Sequence, residues 1–388
     1  MAKNRPGRRR QEIAYRVTRA LLVPYFSWRF NMNADPQPEL PPPYIVISNH
    51  VTELDFFFLG KVFREPMGFI VGQGLLRIRP LKFLLTWLYG SIAKQKGTAD
   101  VRTTMGMARR LQEGRNICLF AEGNTSFDGR TDRIPEATGN LLRAVNAGLI
   151  TCRIEGGYFS MPRWGKGIRR GRTECRVVNT YPKEALQAMS AEEINRLLVS
   201  DLSADAYAEQ KRNPIAYKGK RLAEGIEHAL YLCPSCQGQG TIRGIGDEVR
   251  CLACGMHTRY TPYGFFEGDN PFPGVREWTD WQRGRIQDML ENGAKEAILS
   301  DGPQHLMLQD SDGKLLPFTR GKMSMGRGLL KIGEFETLVS DIAGLEIFRK
   351  NIFQFTLRDG RRFQTKPSEG FCALKYRDLY RIIKEEKE

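Results

Sequence analysis

The chain has 388 residues, 41% hydrophobic and 27% charged, so it is long enough to bury more than one core, and disorder is excluded for most of its length. With 59 Lys and Arg against 44 Asp and Glu it carries a formal charge of +15, which draws it toward anionic partners: nucleic acid, an anionic membrane surface or phosphorylated small molecules. A spanning helix needs about 20 consecutive apolar residues. The best stretches, "LLVPYFSW" and "FLLTWLYGSIA", fall well short, which argues against a transmembrane protein.

The first ten residues, "MAKNRPGRRR", carry five positive side chains and no acid. Behind them "IAYRVTRALLVPYFSWRF" is interrupted by Arg16, Arg19 and Arg29 and lacks a small-residue cleavage site, so it does not read as a signal peptide. The expectation is a cytoplasmic protein associated peripherally with the inner face of the membrane through residues 12–30, where cationic and aromatic side chains mix. An ordinary amphipathic core helix is the alternative.

From residue 44 short β-rich runs alternate with helical periodicity. "YIVIS" (44–48), "GFIVG" (68–72), "NICLFA" (116–121) and "LITCRIEG" (149–156) read as strands. Val101, Met105, Ala108 and Leu111 recur at helical spacing before Gly114, as do Ala137, Leu141, Ala144 and Val145 before Gly148. This alternation predicts an α/β layered unit with a mostly parallel sheet and an active site at the strand ends.

"ISNHVTELDFF" (47–57) places His50 at the end of the first of these strands. On one continuous helix, residues five apart point about 140° away from each other. His50 and Asp55 therefore meet only if the histidine precedes a helix and the aspartate lies within it and reaches back. The carboxylate would then fix the imidazole tautomer and leave the other nitrogen to take a proton from an alcohol. A second polar interruption, "FAEGNTSFDG" (120–129), also closes an apolar strand; its Glu-Gly pair supplies one acceptor and a backbone that can approach a ligand closely.

Together the two segments resemble the glycerophospholipid acyltransferase family, the lysophosphatidate (1-acylglycerol-3-phosphate) acyltransferases and their relatives. The N-H-x4-D motif stands as Asn49, His50 and Asp55, and the F-P-E-G-T-R-S motif as Phe120, Ala121, Glu122, Gly123, Asn124, Thr125 and Ser126. The resemblance covers about residues 40–180. It implies that His50, held by Asp55, deprotonates a glycerol hydroxyl that attacks the thioester of acyl-CoA or acyl carrier protein. It also implies substrate contacts from Asn49, Glu122 and Gly123, with no acyl-enzyme nucleophile, so Ser126 reads as a loop hydroxyl and Cys118 as core. The chain departs from the pattern at Thr125, where an arginine is usual, at Ala121 for proline, and at "ITCRI", where V-P-V is usual. Lys96 is the nearest match to a phosphate-binding arginine, and a lysine lacks the bidentate fork. Lys94, Arg130 and Arg133 are the candidates to compensate. A further cationic block, "RWGKGIRRGR" (163–172), reads equally well as a solvated surface and as an anion site.

After residue 182 the sequence turns polar and helical, and then "YLCPSCQGQGTIRGIGDEVRCLACGMHTRY" sets Cys233, Cys236, Cys251 and Cys254 as two C-x2-C pairs fourteen residues apart. That spacing points four thiolates at one tetrahedral centre, a structural Zn2+ site, with rubredoxin-like iron as the other metal reading. His228 and His257 read as bystanders, and Cys118, Cys152, Cys175 and Cys372 as core residues. The expected domains are a basic amphipathic segment (1–40), an acyltransferase domain (41–182), a helical linker (183–230), a zinc ribbon (231–265) and a C-terminal β domain of PH or GRAM type ending in an amphipathic helix (290–388). The functional expectation is acyl transfer to a lysophospholipid, 1-acyl-sn-glycerol 3-phosphate first, in phospholipid biosynthesis. A nucleic-acid-binding zinc ribbon beside an inactive acyltransferase-like domain, and a lipid-binding scaffold, are the two alternatives.

Overall fold

"YIVIS" is apolar at nearly every position because the strand it forms is covered on both faces. The computed structural model describes residues 6–72, 82–94, 101–268, 270–292, 297–310, 313–366 and 368–386. These fall into two compact units, residues 1–163 with 167–218, and residues 164–166 with 219–388.

The first unit is built on β1 (Met32–Ala34), β2 (Tyr44–Ser48), β3 (Met67–Gly72), β4 (Ile92–Lys94), β5 (Asn116–Phe120), β6 (Gly148–Glu155) and β7 (Thr173–Tyr181). Their order in the sheet is β1-β7-β6-β2-β5-β3-β4, and every neighbouring pair is parallel except β6 with β7. The mostly parallel α/β sheet expected from the alternating pattern is therefore present. Among the described residues the α-helices of this unit are α1 (Pro6–Phe30), α2 (Asp55–Val62), α3 (Val101–Gln112), α4 (Ala137–Val145), α5 (Gly157–Ser160), α6 (Lys183–Ala188), α7 (Ala191–Leu202) and α8 (Ala206–Arg212). A π-helical turn spans Phe83–Leu88.

Period-two alternation sorts the strand side chains into two cores. On one face Tyr44, Val46, Cys118, Ile150 and Cys152 pack with Phe30, Phe58 and Phe63. On the other Ile45, Ile47, Ile117, Leu119 and Leu149 pack with Met107, Leu142, Ile194 and Leu198. Residues 183–212 thus belong to the first unit: Ile194, Leu198 and Leu202, four apart on α7, are fully buried against that second face. The helix starts at a capping box in which the Ser190 hydroxyl accepts from the Glu193 amide and the Glu193 carboxylate accepts from the Ser190 amide.

In the second unit, β8 (Ile242–Ile245), β9 (Glu248–Cys251), β10 (His257–Tyr260) and β11 (Phe266–Glu267) form an antiparallel sheet. The helix α9 (Val275–Glu291) closes over it: the Trp278 indole donates to the Leu232 carbonyl at 2.9 Å, and Gln282 accepts from the amides of Tyr231 and Leu232. Seven further antiparallel strands, β12 (Leu299–Gln309), β13 (Leu315–Met325), β14 (Leu329–Ile332), β15 (Phe335–Leu338), β16 (Ile342–Phe348), β17 (Ile352–Leu357) and β18 (Arg362–Thr365), precede the terminal helix α10 (Ala373–Glu385). That helix buries Ala373, Leu374, Tyr376, Leu379 and Ile383.

Candidate active site

β2 and β5 lie side by side in parallel with Ser48 opposite Phe120, so the residues that follow them, Asn49–His50 and Ala121–Glu122, leave the sheet at one level. The carboxyl ends of adjacent parallel strands are where a doubly covered sheet opens. His50 lies in the loop after β2, and Asp55 is the first residue of α2.

The two side chains meet, with His50 Nδ1 2.9 Å from Asp55 Oδ2. The same carboxylate accepts from the Val51 amide at 2.7 Å, the Thr52 amide at 3.0 Å and the Thr52 hydroxyl at 2.7 Å. A carboxylate engaged by three donors is an acceptor toward the fourth group as well, so Nδ1 carries the imidazole proton and Nε2 keeps the free lone pair. Asp55 is fully buried, whereas the His50 side chain retains 21% exposure, enough for a substrate group to reach it. The ring stacks on Phe120 with centroids 4.4 Å apart and planes 15° from parallel, which limits its rotation. Asp55→Asn leaves at least one buried amide or hydroxyl without its acceptor and is expected to lower stability by about 1–3 kcal/mol. The urea midpoint checks this, and an unchanged midpoint would show that Asp55 does not hold the loop.

Glu122 ties the two strand ends together: Oε1 accepts from the His50 amide at 2.7 Å and Oε2 from the Asp132 amide at 2.6 Å. Burial pushes its carboxyl well above the usual carboxylate range, against the pull of those two backbone bonds. Gly123 has φ +71°, a left-handed conformation that turns the chain immediately after the glutamate. Asn49 is buried, and its carboxamide bonds both backbone groups of Ile154, donating to the carbonyl at 3.0 Å and accepting from the amide at 2.7 Å. It is a brace between the ends of β2 and β6.

The candidate phosphate cations sit differently. Lys96 lies outside the described residues. Lys94 ends β4, Arg130 is ion-paired with Asp128 at 2.7 Å, and the exposed Arg133 pairs with Glu136 at 3.3 Å. The block at 163–172 is not uniformly solvated, because Arg163 and Arg169 are buried. Thr52, which bonds Asp55, carries no chemical signature of its own, and the motif that begins at Phe120 gives no sign that its ring stacks on His50. The T-x-x-D spacing of Thr52 and Asp55, common at helix starts, was the readable hint.

In the second unit Cys233 and Cys236 lie in the turn before β8, and Cys251 and Cys254 at the end of β9 and the turn after it. The Sγ atoms of Cys233 and Cys254, and those of Cys236 and Cys251, are 3.7 Å apart, and all four lie within 4.8 Å of one another. A metal with sulfur ligands at about 2.3 Å in a tetrahedron sets sulfurs roughly 3.8 Å apart, whereas a disulfide needs about 2.05 Å. The cluster therefore fits a tetrahedral metal and not two disulfides. His228 and His257 stand outside it. Cys118, Cys152, Cys175 and Cys372 are buried, as expected of core residues.

A family profile described as Acyltransferase matches residues 33–155. The curated lyso-ornithine lipid O-acyltransferase of Pseudomonas aeruginosa is 27% identical over 121 residues, which is 31% of this chain. The chain spans 42% of the length of that relative. Among solved structures, the crystal structure of a 1-acyl-sn-glycerophosphate (LPA) acyltransferase from Thermotoga maritima aligns at TM-score 0.42 and 17% identity, over 51% of this chain and 80% of that one, a likeness too loose to carry an argument. The profile match encloses β2, the His50–Asp55 pair, β5 and the Glu122 turn, so that geometry and family description fall on the same residues. Residues 33–155 are therefore similar to an acyltransferase domain and, in part, to a lipid O-acyltransferase.

Proposed function

We propose that the chain transfers a fatty acyl group from the thioester of acyl-CoA or acyl carrier protein to the free hydroxyl of a lysolipid, with His50 as general base and Asp55 as its orienter. The observation that carries this reading is the 2.9 Å contact between Nδ1 and Asp55, which leaves Nε2 as the free acceptor at the mouth of the sheet. His50 Nε2 takes the hydroxyl proton as the oxygen attacks the thioester carbonyl. The tetrahedral adduct then expels the thiolate, which recovers the proton from the imidazolium. No acyl-enzyme forms. Asn49, Glu122 and Gly123 hold strand ends and turns at their places, and substrate contacts at these three residues and at Lys96 belong to the same reading.

The acceptor proposed first is 1-acyl-sn-glycerol 3-phosphate, in phospholipid biosynthesis. The resemblance to a lyso-ornithine lipid acyltransferase and the absence of an arginine at Thr125 favour a second, phosphate-free acceptor, lyso-ornithine lipid. Acyl transfer measured across both acceptors and a panel of other lysolipids, with each donor class in turn, tests the reading. Turnover of none of them would overturn it. The Cys233, Cys236, Cys251 and Cys254 set is proposed to hold one structural Zn2+ that takes no part in the reaction.

Peripheral membrane association belongs to the same proposal. Among the described residues no helix is long and apolar enough to cross a membrane. On α1, however, Ile13, Val17, Leu21, Tyr25 and Trp28, spaced three or four apart, are each at least half exposed. The π-helical turn, which packs on α1, adds exposed Phe83 and Trp87, and the Arg10 guanidinium lies 3.8 Å over the Trp87 ring. This is an apolar stripe bordered by cations, as suits an anionic bilayer. Changing Val17 and Leu21 together to glutamate removes two insertions worth roughly 1.5–3 kcal/mol each and is expected to weaken partition to anionic vesicles by about a hundredfold or more. Co-sedimentation unchanged by that double substitution would remove α1 from the membrane contact.

A further inference from the structure

The cationic block after β6 contributes one buried side chain to the loop that holds the backbone of His50. Arg163 is 9% exposed, its guanidinium lies 4.3 Å from the centroid of the Phe127 ring, and Nη1 donates to the Thr125 carbonyl at 2.9 Å. The amide of the same peptide unit, Ser126 N, donates to the His50 carbonyl at 3.2 Å. One peptide plane, Thr125–Ser126, is thus gripped on its oxygen side by a buried cation and hands its N–H to the residue that carries the imidazole. With the His50 amide on Glu122 at 2.7 Å, both backbone groups of His50 are held by the loop that follows β5.

That loop is anchored from the segment after β6 at two points: Arg163 on Thr125, and the Tyr158 hydroxyl on the Phe127 carbonyl at 3.1 Å. A cation placed where water is largely excluded is costly unless it is well bonded, and a charge-assisted bond to a carbonyl is stronger than a neutral one. The bond also polarises the peptide, which strengthens the N–H donated to His50. Nothing in a run such as "RWGKGIRRGR" distinguishes its first arginine from its neighbours; only the fold does.

We propose that Arg163 is a positioning residue for His50, acting through the Thr125–Ser126 peptide. The kinetic part rests on the reading of His50 as the base; the geometric part does not. The Arg163→Met variant keeps a side chain of similar length without donors. Misplacing a base by a fraction of an ångström to 1 Å costs up to about a hundredfold, so kcat is expected to fall by about that factor with KM changed little. Phe127→Leu, which removes the ring under the guanidinium, is expected to act in the same direction and more weakly. Arg163→Lys, which restores a single donor, is expected to recover part of the loss. Arg172→Met, an exposed arginine of the same block, is the control and should leave kcat unchanged.

A second readout is independent of acyl transfer. The chain has four histidines, and in nitrogen-resolved NMR of their rings only the His50 signals should move in Arg163→Met and Phe127→Leu. Displaced His50 signals with unmeasurable turnover in the parent protein would overturn the acyl-transfer reading and keep this one. His50 signals unmoved, with kcat per folded molecule unchanged in both variants, would overturn the positioning role; a lower urea midpoint alone would then mark Arg163 as a structural brace. If Arg163→Met does not fold, Phe127→Leu decides by the same two readouts.

Discussion

His50→Ala is expected to lower kcat for acyl transfer by about 10²–10⁴-fold, the range that a positioned general base contributes. The geometry makes this a specific loss. The imidazole touches Asp55 at 2.9 Å and stacks on Phe120, but it is not itself part of either hydrophobic core, and its backbone bonds to Glu122 and Ser126 survive the change. The carboxylate keeps three donors, from Val51 and Thr52, so the start of α2 stays in place. Stability should therefore change little while turnover collapses. Steady-state kinetics and a urea titration on the same preparation measure both. Full activity in His50→Ala would remove the histidine from the reaction, and an unfolded variant would show it to be a structural residue.

The meeting of His50 and Asp55 was legible because the five-residue interval can close only across the start of a helix, and the apolar run before His50 marked the strand that ends there. The mostly parallel sheet was legible for a similar reason: β2, β5 and β6 are buried on both faces, and their sequences show it. What could not be read was whatever depends on partners distant in the chain. Asn49 looks like a polar motif residue, yet its amide bonds Ile154, 105 positions away. Arg163 looks like one of five similar cations, yet it is buried on a loop formed 38 residues earlier. The stretch after residue 182 looks like a charged linker because, of the five residues α7 buries, only Ile194, Leu198 and Leu202 are large and apolar; the others are Ala191 and the polar Asp201. The apolar side of α1 was visible as periodicity, but which of its residues stay exposed depends on which face α2 covers.

Metal removal is expected to have the largest effect on the second unit. Four sulfurs spaced for a tetrahedral ion, two of them on buried cysteines, repel one another as thiolates when nothing lies between them. A structural zinc in such a set contributes about 10–16 kcal/mol of apparent binding free energy, comparable to the whole stability of a domain. Apart from the metal, the knuckles close by backbone bonds: Gln237 N to the Cys233 carbonyl and Cys233 N to the Gly238 carbonyl in one, Gly255 N to the Cys251 carbonyl and Cys251 N to the Met256 carbonyl in the other, with Leu252 N on the Thr241 carbonyl. Beneath them Tyr231, Leu232, Ile242 and Val249 are buried, and Tyr231 and Leu232 are bonded to Gln282 and Trp278 of α9, so the helix side should remain ordered longer than the turns. The purified chain is expected to contain about one zinc ion per molecule. Chelation, or Cys233→Ser, is expected to speed amide exchange and proteolytic cleavage within residues 231–256 by orders of magnitude, with exchange in β2, β5 and β6 unchanged. Metal analysis and hydrogen exchange on the same sample read both outcomes, and iron in place of zinc would declare itself by visible thiolate absorption. A metal-free chain whose knuckle amides are as protected as its core strands would overturn the metal assignment and leave the 3.7 Å sulfur spacing without a role.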